Sequence, residues 1–378
     1  MSAQTKTSHQ KHISLSKPDL QHFGRNELAI TGSTCSSIRR LARHISSALS
    51  NQYRISYVDA EHGSSESVQP SGLELSYLKQ ATAQQFTFHR SLNSYQLKPL
   101  FNEQDLILLN GNHFEARDQL LIIDPQKPVD PESLDDVKMI ILQEGVTDIP
   151  QKVSKRIPNL DHLPVFRIHE MTKIANTCQE LIDGTIPPLY GLVLAGGKST
   201  RMHTDKTELN YHGKPQRLHL YDLLTPFCDE VFLSCRQEQT EKLTNNLNVI
   251  TDSFLNMGPL GALLSAFREY PNTAWLTLAC DLPLLSSHTL QKLVNQRNPA
   301  KIATAFKNKE SGFPEPLITI WEPKSYQVLL QFLGMGYSCP RKTLINSDVE
   351  LLESPDPQEL MNANTPQEYE EALDLIST

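Results

Sequence analysis

The feature that most constrains this chain is an apolar run that leads directly into a Gly-Gly pair and a basic loop. Residues 192–206 read Leu-Val-Leu-Ala-Gly-Gly-Lys-Ser-Thr-Arg-Met-His-Thr-Asp-Lys. Gly196 and Gly197 let backbone N–H groups approach a phosphate chain without a Cβ in the way. Arg201 and Lys206 can neutralise the charge of that chain. The run therefore predicts a strand followed by a phosphate-binding loop.

This segment resembles the signature L-A-G-G-x-S-x-R-M-G-x-D-K of the nucleoside-triphosphate transferases, and it is most similar to that of the molybdenum cofactor guanylyltransferases. The positions in register are Ser199, Arg201, Met202, Asp205 and Lys206. The resemblance implies catalytic roles for Arg201 and Lys206. It also implies nucleotide-binding roles for Leu194, Ala195, Gly196, Gly197 and Lys206. The alternative is an ordinary Gly-Gly strand turn beside a solvated basic loop.

Length and composition favour two soluble domains. A chain of 378 residues exceeds the usual size of one domain, and 39% hydrophobic with 21% charged residues is typical of globular proteins. No stretch approaches the roughly 20 apolar residues of a membrane span, so we expect no membrane association. Residues 1–21 are polar and lack an apolar signal segment, so we expect a mobile tail there.

Cysteine spacing argues against a zinc-binding or disulfide-linked protein, and net charge argues against a nucleic-acid-binding protein. The six cysteines are scattered and include no Cys-x-x-Cys pair, which argues against a zinc site and a disulfide framework. This usage is typical of a reducing compartment, so we expect a cytoplasmic protein. The net charge of −8 gives no overall attraction for nucleic acid. Any polyanion bound here is therefore expected to be small and held by a local basic loop.

Both halves of the chain indicate an α/β fold. Short β-branched runs alternate with amphipathic segments, which predicts two domains, each with a mostly parallel sheet and helices on both faces. The segment 183–188, Asp-Gly-Thr-Ile-Pro-Pro, stops one helix and restarts the chain before the next strand. We expect a first domain over residues 22–186 and a second over residues 189–378.

The first domain is predicted to be P-loop-like but degenerate. Its order of strand, small-residue loop, helix and strand resembles the guanine-nucleotide-binding adaptor of molybdenum cofactor assembly. The pattern G-x-x-x-x-G-K-[ST] keeps Gly32 but has Ser37, Ile38 and Arg39 in place of its last three residues. The predicted apolar face of the helix consists of Ile38, Leu41, Ala42, Ile45 and Leu49. The later strands are predicted at Ile55–Val58, Asp105–Leu109, Leu120–Ile123, Lys138–Leu142 and Val165–Ile168.

These replacements indicate that the first domain kept the fold and lost the NTPase activity. Ile38 cannot reach phosphate, and Arg39 offers no hydroxyl for Mg²⁺. Two alternatives remain open. Arg40 could supply the charge one residue late, and a different polar site could form from residues 110–113, Asn-Gly-Asn-His, with Asp59 and Glu61.

In the second domain, polar residues follow the predicted strands. Strands are predicted over residues 190–195, Val231–Cys235, Val249–Thr251 and Trp275–Cys280, with a helix over residues 217–224. Asp252 and Asp281 each end a strand, and Gly258 opens a helix with Leu263, Leu264 and Phe267 on its buried side. Open α/β sheets bind ligands at the carboxyl ends of their strands, so we expect these residues to line one site.

Nucleotidyl transfer is a chemistry that these residue types can perform. It joins a phosphomonoester to the α-phosphorus of an NTP, so the protein must align two phosphates and neutralise their charge. Asp281, before a Pro-restricted turn, can hold Mg²⁺ through oxygen ligands. The Asp252 carboxylate can accept hydrogen bonds from the N1–H and N2–H₂ edge of guanine. The alternative for either aspartate is a helix cap or a turn former.

Further motifs extend the resemblance over nearly all of residues 189–378. They are Thr-Asp-x₅-Gly-Pro-Leu-x-Gly at 251–261, Ala-Cys-Asp-Leu-Pro at 279–283, Pro-Glu-Pro-Leu at 314–317 and Asn-Ala-Asn-Thr-Pro at 362–366. The resemblance implies that Asp252, Gly258 and Asp281 contact the nucleotide and that Asn362 and Asn364 face a pterin phosphate. The alternative for the last motif is a turn in which Thr-Pro starts a helix, and both readings are compatible.

The chain departs from the family pattern at two places. His203 stands where the family usually has glycine, so the loop can take a different path if that position needs a positive φ. After the second strand the family often has asparagine, and this chain has Ser-Cys-Arg at 234–236. The second departure concerns recognition of the base rather than binding of phosphate or metal.

The resemblance implies transfer of GMP from Mg·GTP to molybdopterin or its molybdenum-loaded form, with release of pyrophosphate. Partners would then be GTP, the pterin phosphate, and cofactor assembly or acceptor proteins. Two alternatives remain open. One is the same chemistry with another NTP, such as CTP, or another phosphorylated acceptor. The other is a non-catalytic regulatory protein that keeps a nucleotide-binding fold.

Overall fold

The computed structural model describes residues 14–61, 73–195, 206–242, 247–309 and 311–377. The chain divides into two compact units. One unit is Leu20–Ile186, and the other is Pro187–Thr378 together with the residues before Leu20. Each unit has its own sheet and its own hydrophobic core.

The first unit contains a six-stranded, wholly parallel sheet and a separate antiparallel hairpin. Its strands are β1 Glu27–Thr31, β2 Ile55–Val58, β3 Leu75–Lys79, β4 Gln84–Phe88, β5 Leu106–Asn110, β6 Asp118–Ile123, β7 Asp136–Leu142 and β8 Val165–Arg167. Its helices are α1 Cys35–Leu49, α2 Ser94–Phe101, α3 Gln151–Ser154 and α4 Met171–Asp183. The sheet order is β2-β5-β1-β6-β7-β8, and β3 pairs with β4.

Helices cover both faces of this sheet, as predicted. α1 and α4 share one core cluster with Leu28 and Ile30 of β1. α2 and α3 contribute to clusters on the other face, which contain Ala29 and Leu121. The buried residues of α1 are the five predicted ones, because apolar side chains three and four residues apart share one helical face. Every predicted strand is present, with ends that differ by at most two residues.

The second unit is built on a seven-stranded mixed sheet. Its strands are β9 Leu189–Leu194, β10 Glu230–Cys235, β11 Val249–Thr251, β12 Ala274–Ala279, β13 Ala303–Lys307, β14 Pro314–Trp321 and β15 Val349–Glu353. Its helices are α5 Gln216–Leu224, α6 Pro259–Glu269, α7 Ser287–Asn295, α8 Ser325–Gly334, α9 Pro340–Ile345 and α10 Pro366–Ser377. The order is β11-β10-β9-β12-β14-β13-β15, and β14 runs antiparallel to both of its neighbours.

The core of the second unit lies on both faces of its sheet. α5 and α7 pack on one face, in a cluster that includes Val193 of β9. α6, α8 and α9 pack on the other face, in a cluster that includes Leu192 and Trp275. The predicted buried residues of α6 lie in its core-facing surface. The α/β fold class and the mostly parallel sheets are therefore confirmed.

This topology brings the predicted strand ends to one edge of the sheet. β9 lies between β10 and β12, and all three are parallel. Ala195 therefore follows β9. Asp281 comes shortly after β12, on one side of β9, and Asp252 follows β11, on the other side. The backbone N–H of Ala195 donates to the carbonyl of Ser234 at 3.0 Å, and that of Asp252 donates to the carbonyl of Cys235 at 2.9 Å.

The described residues before Leu20 are joined to the rest of their unit by hydrogen bonds. The Asp19 N–H donates to Asn272 Oδ1 at 2.7 Å, and Asn272 Nδ2 donates to the carbonyl of Lys17 at 3.3 Å. Residues 1–13 of the predicted tail lie outside the described residues. None of the helices in the described part of the chain has the length and apolar composition needed to cross a membrane.

Candidate functional site

Three predicted site residues meet at the carboxyl edge of the second sheet. Lys206 Nζ donates to Asn364 Oδ1 at 2.5 Å, although 158 positions separate the two residues. The backbone N–H of Ala363 donates to the carbonyl of Asp281 at 2.8 Å, which fixes the Asn364 segment beside the end of β12. Burial raises the pKa of Asp281, and the charge of Lys206 acts on this carboxylate and opposes that rise. The structure therefore places one cation, one carboxylate and one amide around a common point.

Asp281 is a buried carboxylate whose environment lacks full compensation. Burial raises its pKa above the ordinary value, Lys206 opposes this shift, and Glu315 adds to it. Its Oδ1 atom is buried and has no hydrogen-bond partner among the described residues. A buried carboxylate oxygen without a partner is costly, and coordination of a cation would satisfy it. The residues present therefore fit a divalent metal ion at Asp281.

Asn364 is held by a reciprocal cap at the start of α10. Glu368 Oε2 accepts hydrogen bonds from the backbone N–H groups of Asn364 and Thr365, at 2.7 and 2.9 Å. These bonds lower the pKa of Glu368, and the bond from the Asn364 N–H has the largest effect. Since α10 begins at Pro366, the predicted helix start is confirmed. Asn362 is half-buried in the same segment.

Asp252 belongs to a second polar group, on the β10 side of the edge. Its Oδ1 accepts a hydrogen bond from Ser234 Oγ at 2.7 Å. Burial raises the pKa of Asp252, while this bond and the charge of Arg236 oppose the shift. Gln239 accepts from the Arg236 N–H at 3.0 Å and donates to the carbonyl of Ala195 at 3.5 Å. Sequence reasoning treated Ser234 only as a departure from the family, whereas here it orients Asp252.

The segment between Asp252 and α6 has a backbone that requires glycine at one position. Gly258, the residue before α6, has φ +57° and ψ −141°, a conformation that side chains strongly disfavour. At Gly261 a Cβ would lie 2.3 Å from the Phe254 carbonyl oxygen, so the loop and helix approach too closely for any side chain. Ser265 Oγ accepts from the Ser253 N–H at 2.8 Å and ties the loop to the helix.

Several predicted site residues lie outside the described residues. Those are Gly196, Gly197, Arg201 and His203. Leu194 ends β9 half-buried, and Ala195 follows it buried. Within the described ranges, no cluster of three or more His, Cys, Asp and Glu side chains is arranged to hold a metal ion. Asp281 is a carboxylate that the described residues offer at this point, and Mg²⁺ commonly completes its coordination with water and substrate phosphate oxygens.

Two residues, one beside Asp281 and one beside Glu315, were not singled out by sequence reasoning. The Tyr211 hydroxyl is buried without a hydrogen-bond partner among the described residues, and burial, Tyr369 and Asp281 all raise its pKa. Arg341 Nη2 donates to Glu315 Oε2 at 3.2 Å, which places a cation beside the glutamate of the Pro-Glu-Pro-Leu motif. Neither residue belongs to a motif that the sequence displays, so only tertiary structure reveals them.

In the first unit, the residues that stand at the predicted P-loop positions make other contacts. Only residues 32–34 separate β1 from α1. Ile38 is fully buried in the core below α1. Arg39 Nη2 and Nε donate to Asp59 Oδ2, at 2.9 and 3.2 Å. Ile38, at the predicted lysine position, is thus part of the core. Arg39, at the predicted position of the Mg²⁺-binding hydroxyl, forms an ion pair with Asp59.

We expect a fragment of residues 20–186 to bind neither GTP nor ATP tightly. The P-loop lysine and hydroxyl are absent, and the short β1–α1 loop is closed by a hydrogen bond of 2.5 Å from Ser33 Oγ to Asp124 Oδ2. Calorimetric titration with each nucleotide, with and without Mg²⁺, checks this after circular dichroism has shown that the fragment is folded. Micromolar, Mg²⁺-dependent GTP binding would contradict the prediction, whereas weak phosphate binding would not.

Comparison with known proteins matches the second unit. The model of the MobA-like NTP transferase domain matches residues 191–348. A molybdenum cofactor biosynthesis bifunctional protein of Synechocystis sp. is 37% identical over 199 residues, which are 52% of this chain and 57% of that protein. A Carboxydothermus hydrogenoformans protein named probable molybdenum cofactor guanylyltransferase is 32% identical over 194 residues, which are 49% of this chain and 95% of that protein.

A third relative gives the same match. The molybdenum cofactor guanylyltransferase of Pseudomonas putida is 25% identical over 189 residues, which are 49% of this chain and 98% of that protein. The matched region therefore covers almost all of two of the relatives and little more than half of the Synechocystis protein.

Proposed function

Because this chain belongs, through its C-terminal half, to the molybdenum cofactor guanylyltransferase family of MobA-like NTP transferases, we propose that it transfers GMP from GTP to the phosphate of a molybdopterin-type pterin. Pyrophosphate is the leaving group. The observation that carries the proposal is the convergence of Lys206, Asn364 and the Oδ1 atom of Asp281, which has no hydrogen-bond partner in the part of the chain that the structure describes. The P. putida and C. hydrogenoformans proteins, which match over almost their whole length, support the choice of GTP.

In the proposed reaction, the residues of the second unit act by position and charge. Lys206 holds the crowded phosphates and stabilises the negative charge that grows on them in the transition state. Arg201 and the Gly196–Gly197 backbone are proposed to bind the same phosphate chain. Asn364, oriented by Lys206 and by the cap of α10, binds the acceptor phosphate, and Asn362 assists it. The attacking phosphate oxygen and the leaving pyrophosphate are thereby kept in line.

Asp281 is the residue that would hold Mg²⁺. When bound there, a magnesium ion supplies Lewis-acid neutralisation of the phosphate oxygens. Asp281 suits this role because its carboxylate is buried at the strand end, next to the cation of Lys206. A nucleotide-fold protein without catalytic function would gain nothing from a buried carboxylate whose Oδ1 atom has no hydrogen-bond partner among the described residues, so this observation favours the enzyme over the non-catalytic alternative.

We propose that Asp252 reads the base. One carboxylate oxygen is oriented by Ser234, and the other remains able to accept from the guanine edge. Because the chain departs from the family pattern at residues 234–236, CTP is the alternative nucleotide. A sugar or polyol phosphate is the alternative acceptor. Cofactor assembly or acceptor proteins are proposed as partners. The cytoplasm is the proposed compartment, since all six cysteines lie in the described residues and no disulfide joins them.

Nucleotide choice is tested by thermal shift of the full chain with GTP, CTP, ATP and UTP, each with and without Mg²⁺. A ligand that binds only the native state stabilises it by RT ln(1 + [L]/Kd), so the largest shift identifies the preferred base. We expect the largest shift with Mg·GTP. Formation of a guanylated pterin from molybdopterin and GTP then tests the acceptor. Absence of a shift with all four nucleotides would favour the non-catalytic alternative.

Asp252→Asn is expected to reduce the preference for GTP over CTP. The amide keeps the shape but loses a charged acceptor, and a hydrogen bond to a charged group is worth about 1.5–3 kcal/mol, or roughly 10- to 150-fold in affinity. Relative kcat/KM for the two nucleotides is the measurement. Asp222→Asn, which changes an exposed carboxylate on α5, is the matched control. An unchanged nucleotide preference in Asp252→Asn would remove Asp252 from base recognition.

A further inference from the structure

The first unit contains a thiol that the proposed transfer reaction does not use. Cys35 is the first residue of α1 and is partly exposed. It lies at the carboxyl edge of the parallel sheet, where β1, β2, β5 and β6 all end and where such sheets bind ligands. Sequence reasoning considered this cysteine only as one of six scattered thiols. Its neighbours come from a segment more than seventy residues later.

Two side chains of the β5–β6 connection contact the Cys35 sulfur. His113 Nε2 lies 3.4 Å from Sγ, within the hydrogen-bond distance for sulfur, and Asn112 Nδ2 donates to Sγ at 3.4 Å. The Asn112 side chain is itself oriented, because Lys127 Nζ donates to its Oδ1 and its Nδ2 also donates to the carbonyl of Ser33. An imidazole nitrogen and an amide donor therefore face the same thiol.

The surrounding charges are arranged to keep the thiol and the imidazole in place. The hydrogen bond from Asn112 is the main cause that lowers the pKa of Cys35; Lys127 lowers it further, whereas burial and Asp59 raise it. Asp59 Oδ1 lies 3.7 Å from His113 Nε2. Asp59 in turn accepts from Arg39 and from Asn110 Nδ2, the latter at 2.7 Å. The group thus contains an imidazole beside the thiol, a carboxylate that can stabilise that imidazole once it is protonated, and nearby cations.

We propose that Cys35 and His113 form a nucleophilic pair and that Cys35 is a site of reversible oxidation by hydroperoxides. His113 takes the thiol proton, and the thiolate sulfur attacks the terminal oxygen of the peroxide. The O–O bond breaks, and the leaving hydroxide or alkoxide receives the proton from His113. Sulfur loses two electrons and the peroxide gains them, so the products are a sulfenic acid at Cys35 and water or an alcohol.

The test compares thiols within the intact full-length chain. At pH 6.5, iodoacetamide alkylation of Cys35 is followed by mass spectrometry beside that of Cys339, which is exposed. We expect Cys35 to react at least about tenfold faster although it is the less exposed of the two, because the thiolate is the reacting form. Hydrogen peroxide followed by a dimedone trap is expected to label Cys35 before Cys339, and a reductant is expected to reverse the oxidation when the trap is omitted.

Variants separate this proposal from a structural role. His113→Gln is expected to lower the alkylation rate of Cys35 by about tenfold at unchanged thermal stability, since the proton acceptor is removed. His44→Gln, on the exposed side of the same α1, is the matched control and leaves the rate unchanged. Asn112→Ala is a second test, because it removes the amide that donates to Cys35 Sγ and should likewise lower the alkylation rate. Equal or slower reaction of Cys35 than Cys339 would overturn the proposal, as would an unchanged rate in both His113→Gln and Asn112→Ala.

Discussion

Replacing Lys206 with alanine is expected to lower the rate of nucleotidyl transfer by about 10²–10³, the usual cost of removing a group that stabilises transition-state charge. The amine is held by Asn364 and acts on Asp281, so it lies between the two parts of the proposed site. The fold is expected to persist, because this side chain contributes charge rather than apolar packing. The measurement is kcat/KM for GTP together with the thermal unfolding midpoint.

Lys206→Ala should also change the pH profile. Since Lys206 lowers the pKa of Asp281 against the effect of burial, its loss raises that pKa further. Any residual activity that needs ionised Asp281 then begins at a higher pH than in the wild type. Lys206→Arg should recover part of the rate because it restores the charge. Lys214→Ala, which breaks a surface ion pair with Asp222, is the control. Near-wild-type turnover by a folded Lys206→Ala protein would contradict the role assigned to Lys206.

The fold was predictable wherever one face of an element is buried. The apolar face of α1 and the ends of the core strands follow from side-chain periodicity, because burial imposes the period. The hairpin β3–β4 was missed. Its Leu75, Tyr77, Leu78 and Phe86 are largely exposed, so no buried face leaves an alternating pattern in the sequence. The antiparallel direction of β14 was also not predictable from its composition, because apolar strands in the middle of a sheet look alike.

The candidate site was predictable at its strand ends and not at its long-range contacts. Asp281 and Asp252 could be placed from the rule that parallel strands present their carboxyl ends to ligands. The hydrogen bond between Lys206 and Asn364 joins distant segments, and only the family resemblance suggested that both serve one site. No spacing rule indicates that Ser234 orients Asp252 or that Asn112 and His113 face Cys35.

Asp281→Asn is expected to abolish the Mg²⁺ response and lower transfer by about 10²–10³, because the amide lacks the charge that holds a hard cation and compensates the phosphates. Affinity for nucleotide without Mg²⁺ should change less, since the amide keeps the shape. Rate as a function of Mg²⁺ concentration is the measurement, with Asp222→Asn as the surface control. An unchanged Mg²⁺ dependence would make Asp281 a turn former.

The thermal stability of Asp281→Asn shows whether its loss of activity comes from a damaged fold. Burial raises the pKa of Asp281 in the native state, so the native protein favours its protonated form. The contribution of protonated Asp281 to the free energy of unfolding is fully present below the pKa that Asp281 has in the unfolded chain. It is lost as the pH rises through the higher pKa that Asp281 has in the native protein. At neutral pH without ligands, Asp281→Asn removes a desolvated charge and should unfold at the same temperature as the wild type or higher. That advantage should shrink toward acidic pH, as the wild-type carboxylate becomes protonated. Thermal unfolding at acidic and neutral pH measures it, and a variant that is less stable at neutral pH would show that Asp281 serves the fold instead of a metal ion.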